Sequence, residues 1–288
     1  MRFADKWKDY ELLDASCGER LERWGSTILI RPDPQVIWKT PRLHPMWEKA
    51  DARYVRSNTG GGSWDVRRKL PNEWTVNYQN LSFIIKPMGF KHTGLFPEQA
   101  VNWDLFSDLI RSAGREIRVL NLFAYTGGVT LACLEAGAFV CHVDASKGMT
   151  QWARDNAAKS GLSDIPQRWI VDDCMKFVAR EQRRGSRYDA IIMDPPNYGR
   201  GPGGEVWNLE DKIYELVKEC VPLLSDSPLF FCINSYTTGL RASAMNYVMA
   251  SLLKERFPNA AVEDDEIGLP VTSSGLILPC GAACIATF

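Results

Sequence analysis

The sequence has no C-x-x-C pair among its eight cysteines, and it contains only three histidines. Cysteines scattered in this way predict neither a zinc site nor a disulfide framework, so we expect reduced thiols and no metal. An apolar run of 18 residues is also lacking, which predicts that no helix crosses a membrane. The charged amino-terminal sequence has no apolar core of a signal peptide. We therefore expect a cytoplasmic protein without membrane contact.

The net charge of the 288-residue chain is −1, but the charges are unevenly distributed. Residues 1–97 hold 16 Lys and Arg against 11 Asp and Glu, whereas residues 98–288 hold 18 against 24. The first segment also contains six of the ten tryptophans. Basic residues mixed with aromatic ones are typical of a surface that binds phosphates and stacks bases. The alternative is a small β domain with tryptophan in its core and a solvated basic face.

Short segments rich in β-branched and aromatic residues characterise the first third of the chain. They predict strands at 27–30, 36–38, 74–78 and 81–87, separated by prolines and glycines. The last two strands are expected to form a hairpin with its turn at Gln79 and Asn80. We assign residues 1–92 to a small β-rich domain and propose RNA as its partner.

From residue 93 onwards the pattern alternates between helices and buried strands. Strands are predicted at 117–123, 139–144, 167–171, 188–194 and 228–234, with helices between them and two closing strands at the end of the chain. This alternation predicts an α/β domain over residues 93–288, built on a parallel sheet with helices on both faces.

A turn rich in small residues follows the first strand of that domain. Its glycines allow a tight turn and a close backbone approach to a ligand, and the next helix adds unpaired N–H groups. The turn departs from G-x-G-x-x-G, which disfavours a dinucleotide site. The open alternative is that any strand–helix unit needs such a turn. Its residues are Phe123, Ala124, Tyr125, Thr126, Gly127 and Gly128.

Acidic residues end the next strands of the predicted sheet. Asp144 ends the second strand, where an acid can accept hydrogen bonds from both ribose hydroxyls of an adenosine, or can cap the following helix. Asp173 follows the third strand and is expected to cap a helix or to lie beside an adenine. Because parallel strands end at one edge of a sheet, these positions predict a cofactor site there.

The fourth strand ends in Asp194-Pro195-Pro196-Asn197-Tyr198. The prolines cannot donate backbone hydrogen bonds and therefore cannot continue a strand. An acid, a stiff turn and an aromatic ring thus lie together at the ligand-binding edge of the sheet. Glycines and Arg200 follow, and this segment could either close over a target or connect two elements passively.

Residues 92–240 resemble the bacterial large-subunit (23S) ribosomal RNA methyltransferase family of class I S-adenosylmethionine-dependent enzymes. The matching motifs are H-T-G-L-F-P-E-Q (92–99), V-L-N-L-F-A-Y-T-G-G (119–128), H-V-D-A-S (142–146), A-x-x-N (153–156), D-D-C (172–174) and Y-D-x-I-I-M-D-P-P (188–196). The resemblance implies a Rossmann-like fold with a mostly parallel seven-stranded sheet, and S-adenosylmethionine as the cofactor.

The resemblance also implies roles for individual residues. The turn 123–128 would wrap the methionine end of the cofactor, and Asp144, with Ala145 and Ser146 beside it, would hold the ribose. Asp173 and Cys174 would border the adenine. Phe96 would belong to a lid formed by residues 91–99, although this chain has F-P-E-Q-A where the family usually has an F-x-D-Q-R-like pattern.

The D-P-P-N-Y segment suits methylation of a base nitrogen. Asp194 and the carbonyls of Pro195 and Pro196 would accept hydrogen bonds from the base, and Asp194 would also help to move a proton. Tyr198 would stack on a flipped base, or else pack on the helix that begins near Leu209.

Methylation of a pyrimidine carbon requires a nucleophilic thiolate instead. Relatives that methylate cytosine carry S-C-S after the fifth strand, whereas this chain has I-N-S-Y with Ser235 in place of the thiol. Cys232 is predicted to lie inside a buried strand. The sequence therefore favours a methyltransferase that acts on a base nitrogen of ribosomal RNA. A protein or small-molecule acceptor, and a non-catalytic RNA-binding assembly factor, remain as alternatives.

Overall fold

A computed structural model describes residues 1–57, 61–200, 206–237 and 239–288, without the side chain of Arg200. The chain divides into two compact units. We call Arg2–Ala100 together with Gly268–Cys280 the first unit, and Val101–Ile267 together with Gly281–Phe288 and Met1 the second unit.

The first unit is built mainly from β-strands. Within the described residues, its elements are β1 (Arg2–Phe3), β2 (Tyr10–Ser16), β3 (Glu19–Trp24), β4 (Thr27–Pro32), α1 (Met46–Lys49), β5 (Ala52–Arg56), β6 (Gly62–Val66), β7 (Trp74–Tyr78), β8 (Leu81–Ile85) and a 3-10 turn (Pro97–Gln99). Strands β2 to β6 form one sheet in chain order. The predicted hairpin of β7 and β8 is confirmed, because Tyr78 pairs with Leu81 across a turn in which Gln79 has a φ of 51°.

The predicted strand at 36–38 is wrong. This segment instead supplies carbonyl groups to the turn between β2 and β3, where Cys17 N donates to Trp38 O at 2.9 Å and Gly18 N donates to Val36 O at 3.0 Å. Prolines at positions 34 and 41 flank the segment and limit its pairing as a strand.

The six tryptophans of the first unit stabilise its structure rather than forming an exposed stacking surface. Each of them is buried or half-buried. The indole N–H groups of Trp38, Trp64 and Trp74 donate to the backbone carbonyls of Ala15, Met88 and Trp24. These contacts favour the interpretation with tryptophan in the core, in which Trp24 and Trp47 are buried.

The segment Gly268–Cys280 belongs to the first unit although it lies far along the chain. Thr272 N donates to Leu12 O at 2.9 Å, and Ser273 N donates to Leu13 O at 3.0 Å. The boundary predicted from the sequence lies between residues 92 and 93, whereas the structure divides the chain between Ala100 and Val101. The structure also assigns Gly268–Cys280 to the first unit. The RNA contact assigned to residues 1–92 stays a prediction.

The second unit contains the alternating helices and strands. Its elements are α2 (Ala100–Ser112), β9 (Arg118–Leu122), α3 (Gly128–Glu135), β10 (Phe139–Asp144), α4 (Lys147–Lys159), β11 (Gln167–Val171), α5 (Cys174–Arg183), β12 (Ala190–Met193), β13 (Tyr198–Arg200), β14 (Val206–Asn208), α6 (Leu209–Cys220), a 3-10 turn (Val221–Leu223), β15 (Phe230–Ser235), α7 (Ala242–Leu253), β16 (Ala261–Pro270) and β17 (Ile277–Thr287). The ends of α2, β16 and β17 extend into the first unit.

Seven strands of the second unit lie side by side in the order β16-β17-β15-β12-β9-β10-β11. The pairs from β15 to β11 are parallel, and β17 is antiparallel to β15. The predicted mostly parallel sheet is therefore confirmed. Its central strands β12 and β15 are fully buried, as is typical of parallel strands covered by helices on both faces.

Candidate active site

The sheet order changes direction between β9 and β12. From β9 the chain proceeds to β10 and β11 on one side, and β12 then pairs with the other side of β9. Ligands of open α/β sheets bind beyond the carboxyl ends of the strands at such a switch point. The 123–128 turn, Asp144, Asp173 and Asp194 follow or end four adjacent strands there. The structure thus brings the predicted second-unit positions to one edge of the sheet.

The turn after β9, which we call the cofactor loop (residues 123–128), has an unusual backbone. Phe123 and Tyr125 have φ angles of 55° and 50°, and Gly127 has a φ of 85°. A left-handed conformation at a non-glycine residue costs about 1–3 kcal/mol and persists only where surrounding contacts hold it. Two such residues in three positions indicate a loop whose shape is fixed by its neighbours.

Those contacts come from β10 and α4. Ala124 N donates to Val143 O at 3.1 Å, and Tyr125 N donates to Asp144 Oδ2 at 2.8 Å. Asn156, which is buried on α4, donates from Nδ2 to Thr126 O at 2.9 Å. Sequence reasoning quoted Asn156 only as part of a matching motif, and the structure gives it a definite role in holding the loop.

The two glycines of the cofactor loop are needed for packing. A Cβ atom on Gly127 would lie 3.0 Å from the Cβ of Ala153, and one on Gly128 would lie 2.7 Å from Cζ2 of Trp103. Gly127 also occupies the N-cap position of α3 with a positive φ. The loop backbone can therefore approach both α2 and α4 closely only with glycine at these positions.

Asp144 lies at the carboxyl end of β10 and accepts one backbone hydrogen bond on each oxygen. Tyr125 N donates to Oδ2 and Ser146 N donates to Oδ1, both at 2.8 Å. The cap of α4 is Ser146, whose Oγ accepts from Met149 N at 3.3 Å, so Asp144 is not required for that purpose. Burial raises the pKa of Asp144 above its usual value.

The residues present fit the ribose of S-adenosylmethionine. Each oxygen of a carboxylate has about two lone pairs, so Asp144 can accept two further hydrogen bonds beside the backbone ones. Ribose hydroxyl groups are donors of the required kind. Ala145, between Asp144 and Ser146, adds no polar side chain that would compete for those positions. We expect the ionised form of Asp144 to bind the ribose.

Asp144→Asn is expected to weaken S-adenosylmethionine binding about tenfold or more, because a hydrogen bond to a charged group contributes about 1.5–3 kcal/mol. The side-chain NH₂ group of the asparagine would also face the backbone N–H of Tyr125 or Ser146, and two donors cannot form a hydrogen bond with each other. Isothermal titration calorimetry with the cofactor tests this, with the exposed Asp164→Asn as the matched control. Equal affinities of the two variants would contradict the assignment.

Asp173 and Cys174 begin α5 after the third strand. The carboxylate of Asp173 caps the helix, since Oδ1 accepts from Lys176 N at 2.9 Å. Cys174 is buried, and its Sγ accepts from Phe123 N at 3.3 Å. Burial raises the pKa of this thiol well above its usual value, so it is neutral. Cys174 thus fixes the start of the cofactor loop, and the contact of both residues with adenine stays a prediction.

The segment Asp194–Asn197, which we call the catalytic loop, follows β12 directly. Asp194 N donates to Leu122 O at 3.4 Å, which holds it beside the start of the cofactor loop. Pro195 is buried and Pro196 is exposed. Leu209 N donates to Asn197 O at 3.0 Å, so the loop is also attached to the start of α6.

Tyr198 begins β13 and is 57% exposed, so its ring is not buried against α6. Strand β13 pairs with β14 in a short antiparallel hairpin, in which Tyr198 lies opposite Asn208. Residues 201–205, which carry the predicted glycine-rich connection, lie outside the described residues. The stacking role of Tyr198 stays a prediction.

Trp207 is a site residue that sequence reasoning missed. It lies opposite Gly199 in the hairpin, and its Nε1 donates to Pro196 O at 2.6 Å. Its ring lies 5.4 Å from that of Phe123, measured between centroids. Trp207 therefore joins the catalytic loop to the cofactor loop. The W-N dipeptide before a helix gave no sequence signal, because the contact depends on the fold of the hairpin.

Trp207→Phe is expected to lower kcat about fivefold while leaving cofactor affinity nearly unchanged. Phenylalanine keeps an aromatic ring near Phe123 but cannot donate to Pro196 O, and one hydrogen bond contributes about 1 kcal/mol. Trp207→Ala should weaken cofactor binding as well. Steady-state kinetics and calorimetry on both variants test this, and a Trp207→Phe enzyme with wild-type kcat would contradict the role.

Phe96 belongs to the first unit, whereas the other predicted cofactor-binding residues belong to the second. It precedes the 3-10 turn, and its ring centroid is 5.2 Å from that of His92. The neighbouring Glu98 is buried, with Oε2 4.0 Å from an Nη1 atom of Arg20. Burial raises the pKa of Glu98. The contact of Phe96 with the cofactor stays a prediction.

The mostly parallel sheet, its strand order and the loops at its carboxyl edge define a Rossmann-like fold of the kind that class I methyltransferases have. A sequence profile of the S-adenosylmethionine-dependent methyltransferase family matches residues 55–245. The SAM-dependent methyltransferase from Agrobacterium tumefaciens has 33% sequence identity and a TM-score of 0.93, over 99% of this chain and 92% of that one. The chain therefore belongs to the S-adenosylmethionine-dependent methyltransferase family, which confirms the predicted fold, enzyme class and cofactor.

Two further relatives are similar over most of this chain. The Ribosomal RNA large subunit methyltransferase K/L of Shewanella baltica is 33% identical over 201 residues, or 69% of this chain and 24% of that protein. SMU.776, whose structure was solved in complex with SAH, has the same fold, with 16% identity and a TM-score of 0.73 over 98% of this chain and 76% of that one. The chain spans about a quarter of the length of the curated relatives that it matches.

No helix of the described residues is both long and apolar enough to span a bilayer. No group of three or more His, Cys, Asp or Glu side chains among them is arranged to hold a metal ion.

Proposed function

We propose that this enzyme methylates a base nitrogen in ribosomal RNA, and that it does so in the cytoplasm. The observation that carries the proposal is the catalytic loop, which presents a half-buried carboxylate and proline carbonyls directly beside the cofactor loop. The names of the ribosomal RNA methyltransferases among its relatives support the acceptor class.

When bound, S-adenosylmethionine supplies an electrophilic methyl group on its sulfonium. Transfer of that group requires chiefly proximity and orientation. Asp194 would accept a hydrogen bond from the target nitrogen and take up or relay the proton that the nitrogen loses. Pro196 O already accepts from Trp207, so its second lone pair would be the one that meets the base. The exposed ring of Tyr198 would stack on that base.

Ser235 and Cys232 on β15 argue against methylation of a pyrimidine carbon. Ser235 is buried at the end of β15, where its Oγ accepts from Thr237 N at 3.3 Å. Cys232 is fully buried within the same strand, and its thiol donates to Asn234 Oδ1 at 3.8 Å. A thiol that attacks a pyrimidine must reach the ring as a thiolate, which a buried strand residue cannot do.

The test is transfer of labelled methyl from S-adenosylmethionine to total RNA from cells that lack this protein, with and without ribonuclease. We expect label that ribonuclease releases, and digestion with mass spectrometry would identify an N-methylated base. Label that survives ribonuclease but not protease would indicate a protein acceptor and overturn the proposal. A C-methylated base would overturn the assignment to nitrogen.

A further inference from the structure

A short segment of the first unit, Met88–Lys91, is held by side chains of strands β5 and β6. The hydroxyl of Tyr54 donates to Gly89 O at 3.0 Å, and Trp64 Nε1 donates to Met88 O at 2.8 Å. The two rings contact each other edge to face, with centroids 5.5 Å apart. Because Tyr54 and Trp64 are paired directly across the strands, they form one platform beneath the segment.

Gly62 makes this platform possible. A Cβ atom at position 62 would lie 2.3 Å from Val55 O and 2.8 Å from the ring of Tyr54. Any larger residue would therefore displace Tyr54 from the position in which it reaches Gly89. The backbone of the segment is thus fixed by several independent features of β5 and β6.

The fixed segment carries an exposed aromatic ring, and one cation lies on the segment itself and another on β5. Phe90 is 61% exposed, although a large apolar side chain gains free energy from burial. Lys91 follows it directly. Arg56 lies two residues after Tyr54, and therefore on the face of β5 that carries the platform. Among the described residues, neither Arg56 nor Lys91 forms a salt bridge, so both charges are available to a partner.

The electrostatic surroundings favour an anion at this position. Burial, together with the positive charges of Arg20, Arg31 and Arg56, lowers the pKa of Lys91 to about 8, while Asp33 opposes the decrease. The same three arginines act on His92. Arg20 and Arg31 are paired with Asp33 and with Glu22, so the charges that a phosphate group could meet are those of Arg56 and Lys91, whose repulsion it would relieve.

We propose that Phe90, Lys91 and Arg56, which we call the Phe90 patch, bind single-stranded RNA. A base stacks on Phe90, and the two cations contact the phosphates on either side of it. An aromatic ring flanked by cations is the arrangement with which proteins hold single strands without reading sequence. The choice of RNA rests on the proposed function, and the geometry of the patch is independent of it.

A protein partner fits the patch less well. Stable protein interfaces bury about 800 Å² on each side, around an apolar core. A single exposed ring between two cations offers a small apolar area and a concentrated positive charge. That combination suits a polyanion with aromatic bases.

Phe90→Ala and Arg56→Met test the patch. The ligand is ribosomal RNA from cells that lack the protein, and binding is measured by filter retention over a series of salt concentrations. We expect Phe90→Ala to weaken binding about tenfold at every salt concentration, because the stacked base is lost. Arg56→Met should reduce the slope of log K against log salt by about 0.7, the value for one phosphate contact of a single strand.

Matched controls come from the same unit. Ile37→Ala removes a side chain that is 83% exposed, and Lys49→Met removes an exposed charge from α1. Both should bind RNA as the wild type does. All four variants should also keep wild-type thermal unfolding and cofactor affinity, because each changes a surface residue outside the cofactor site.

The outcomes separate the patch from the proposed function. If the wild type methylates RNA while Phe90→Ala and Arg56→Met match their controls in binding, the patch is wrong and the proposed function stands. If the wild type binds RNA through the patch but transfers no label to it, the proposed acceptor is wrong and the patch stands. A wild type that does not bind RNA overturns both.

Discussion

Asp194→Ala is expected to abolish methyl transfer while leaving cofactor binding largely intact. A positioned acid or base contributes about 10²- to 10⁴-fold to a rate, so the loss in kcat should be at least about a hundredfold. Asp194 follows a buried strand, and its backbone is held by Leu122 O, so removal of the side chain leaves the fold in place.

The isosteric variant Asp194→Asn separates two roles of that carboxylate. Its amide oxygen would still accept a hydrogen bond from the target nitrogen but could not take up the proton, so Asp194→Asn should be as slow as Asp194→Ala if proton uptake is essential. Activity of Asp194→Asn near the wild-type level would assign orientation alone. Single-turnover rates and calorimetric cofactor affinities distinguish these results. Asp226→Asn, at a fully exposed position, is the control.

Glu22→Gln is expected to lower the free energy of unfolding of the first unit by about 3–5 kcal/mol. Glu22 is fully buried on β3 and accepts two hydrogen bonds from Arg31, Nε to Oε2 at 2.6 Å and Nη2 to Oε1 at 2.7 Å. The hydroxyl of Tyr10 donates to the same carboxylate at 2.8 Å. The neutral amide would leave the buried guanidinium uncompensated, which is the cause of the loss.

Urea unfolding followed by tryptophan fluorescence measures this, because six tryptophans lie in the first unit. Arg31→Met should cost a similar amount, and the double variant Glu22→Gln/Arg31→Met should lose less than the sum of the two, since no buried charge is then unpaired. The exposed pair of Asp65 and Arg67 gives the control, because Arg67→Met should change the free energy by less than about 1 kcal/mol. Additive losses would contradict the coupling.

The same pair makes the first unit sensitive to acid. Burial raises the pKa of Glu22, but Arg31 and the hydrogen bonds to it outweigh burial, so the pKa lies below its usual value. A carboxyl group with a depressed pKa stabilises the folded state at neutral pH, and that contribution is lost as the pH falls below about 4. Glu22→Gln should therefore show a smaller loss of stability between pH 7 and pH 3 than the wild type.

The same buried charges explain which strands sequence reasoning missed. Strand β3 reads ERLERW, a pattern of charges that suggests an exposed segment, and no strand was predicted there. Its Glu22 is nevertheless buried because Arg31, nine residues later on β4, neutralises it. A pairing between strands is not visible in the local sequence. Apolar strands such as β12 were predicted correctly because their burial follows from composition alone.

The candidate active site likewise contains some residues that the sequence could predict and others that it could not. The positions at the edge of the sheet could be predicted, because each is a turn residue at the end of an apolar run. Trp207 and Asn156 could not, since each acts through a backbone carbonyl that only the folded loops bring within reach. The sequence also could not predict that Gly268–Cys280 belongs to the first unit, because its partners Leu12 and Leu13 lie more than 250 residues earlier.

This pairing between distant segments affects how the first unit folds during synthesis. Leu12 and Leu13 are synthesised about 260 residues before their partners Thr272 and Ser273. At about 5–20 residues per second, synthesis of the intervening chain takes tens of seconds. Throughout that time the amino-terminal strands lack the backbone partners that complete their edge. These strands therefore gain their last backbone partners only after that delay, and the nascent chain must protect an open strand edge in the meantime.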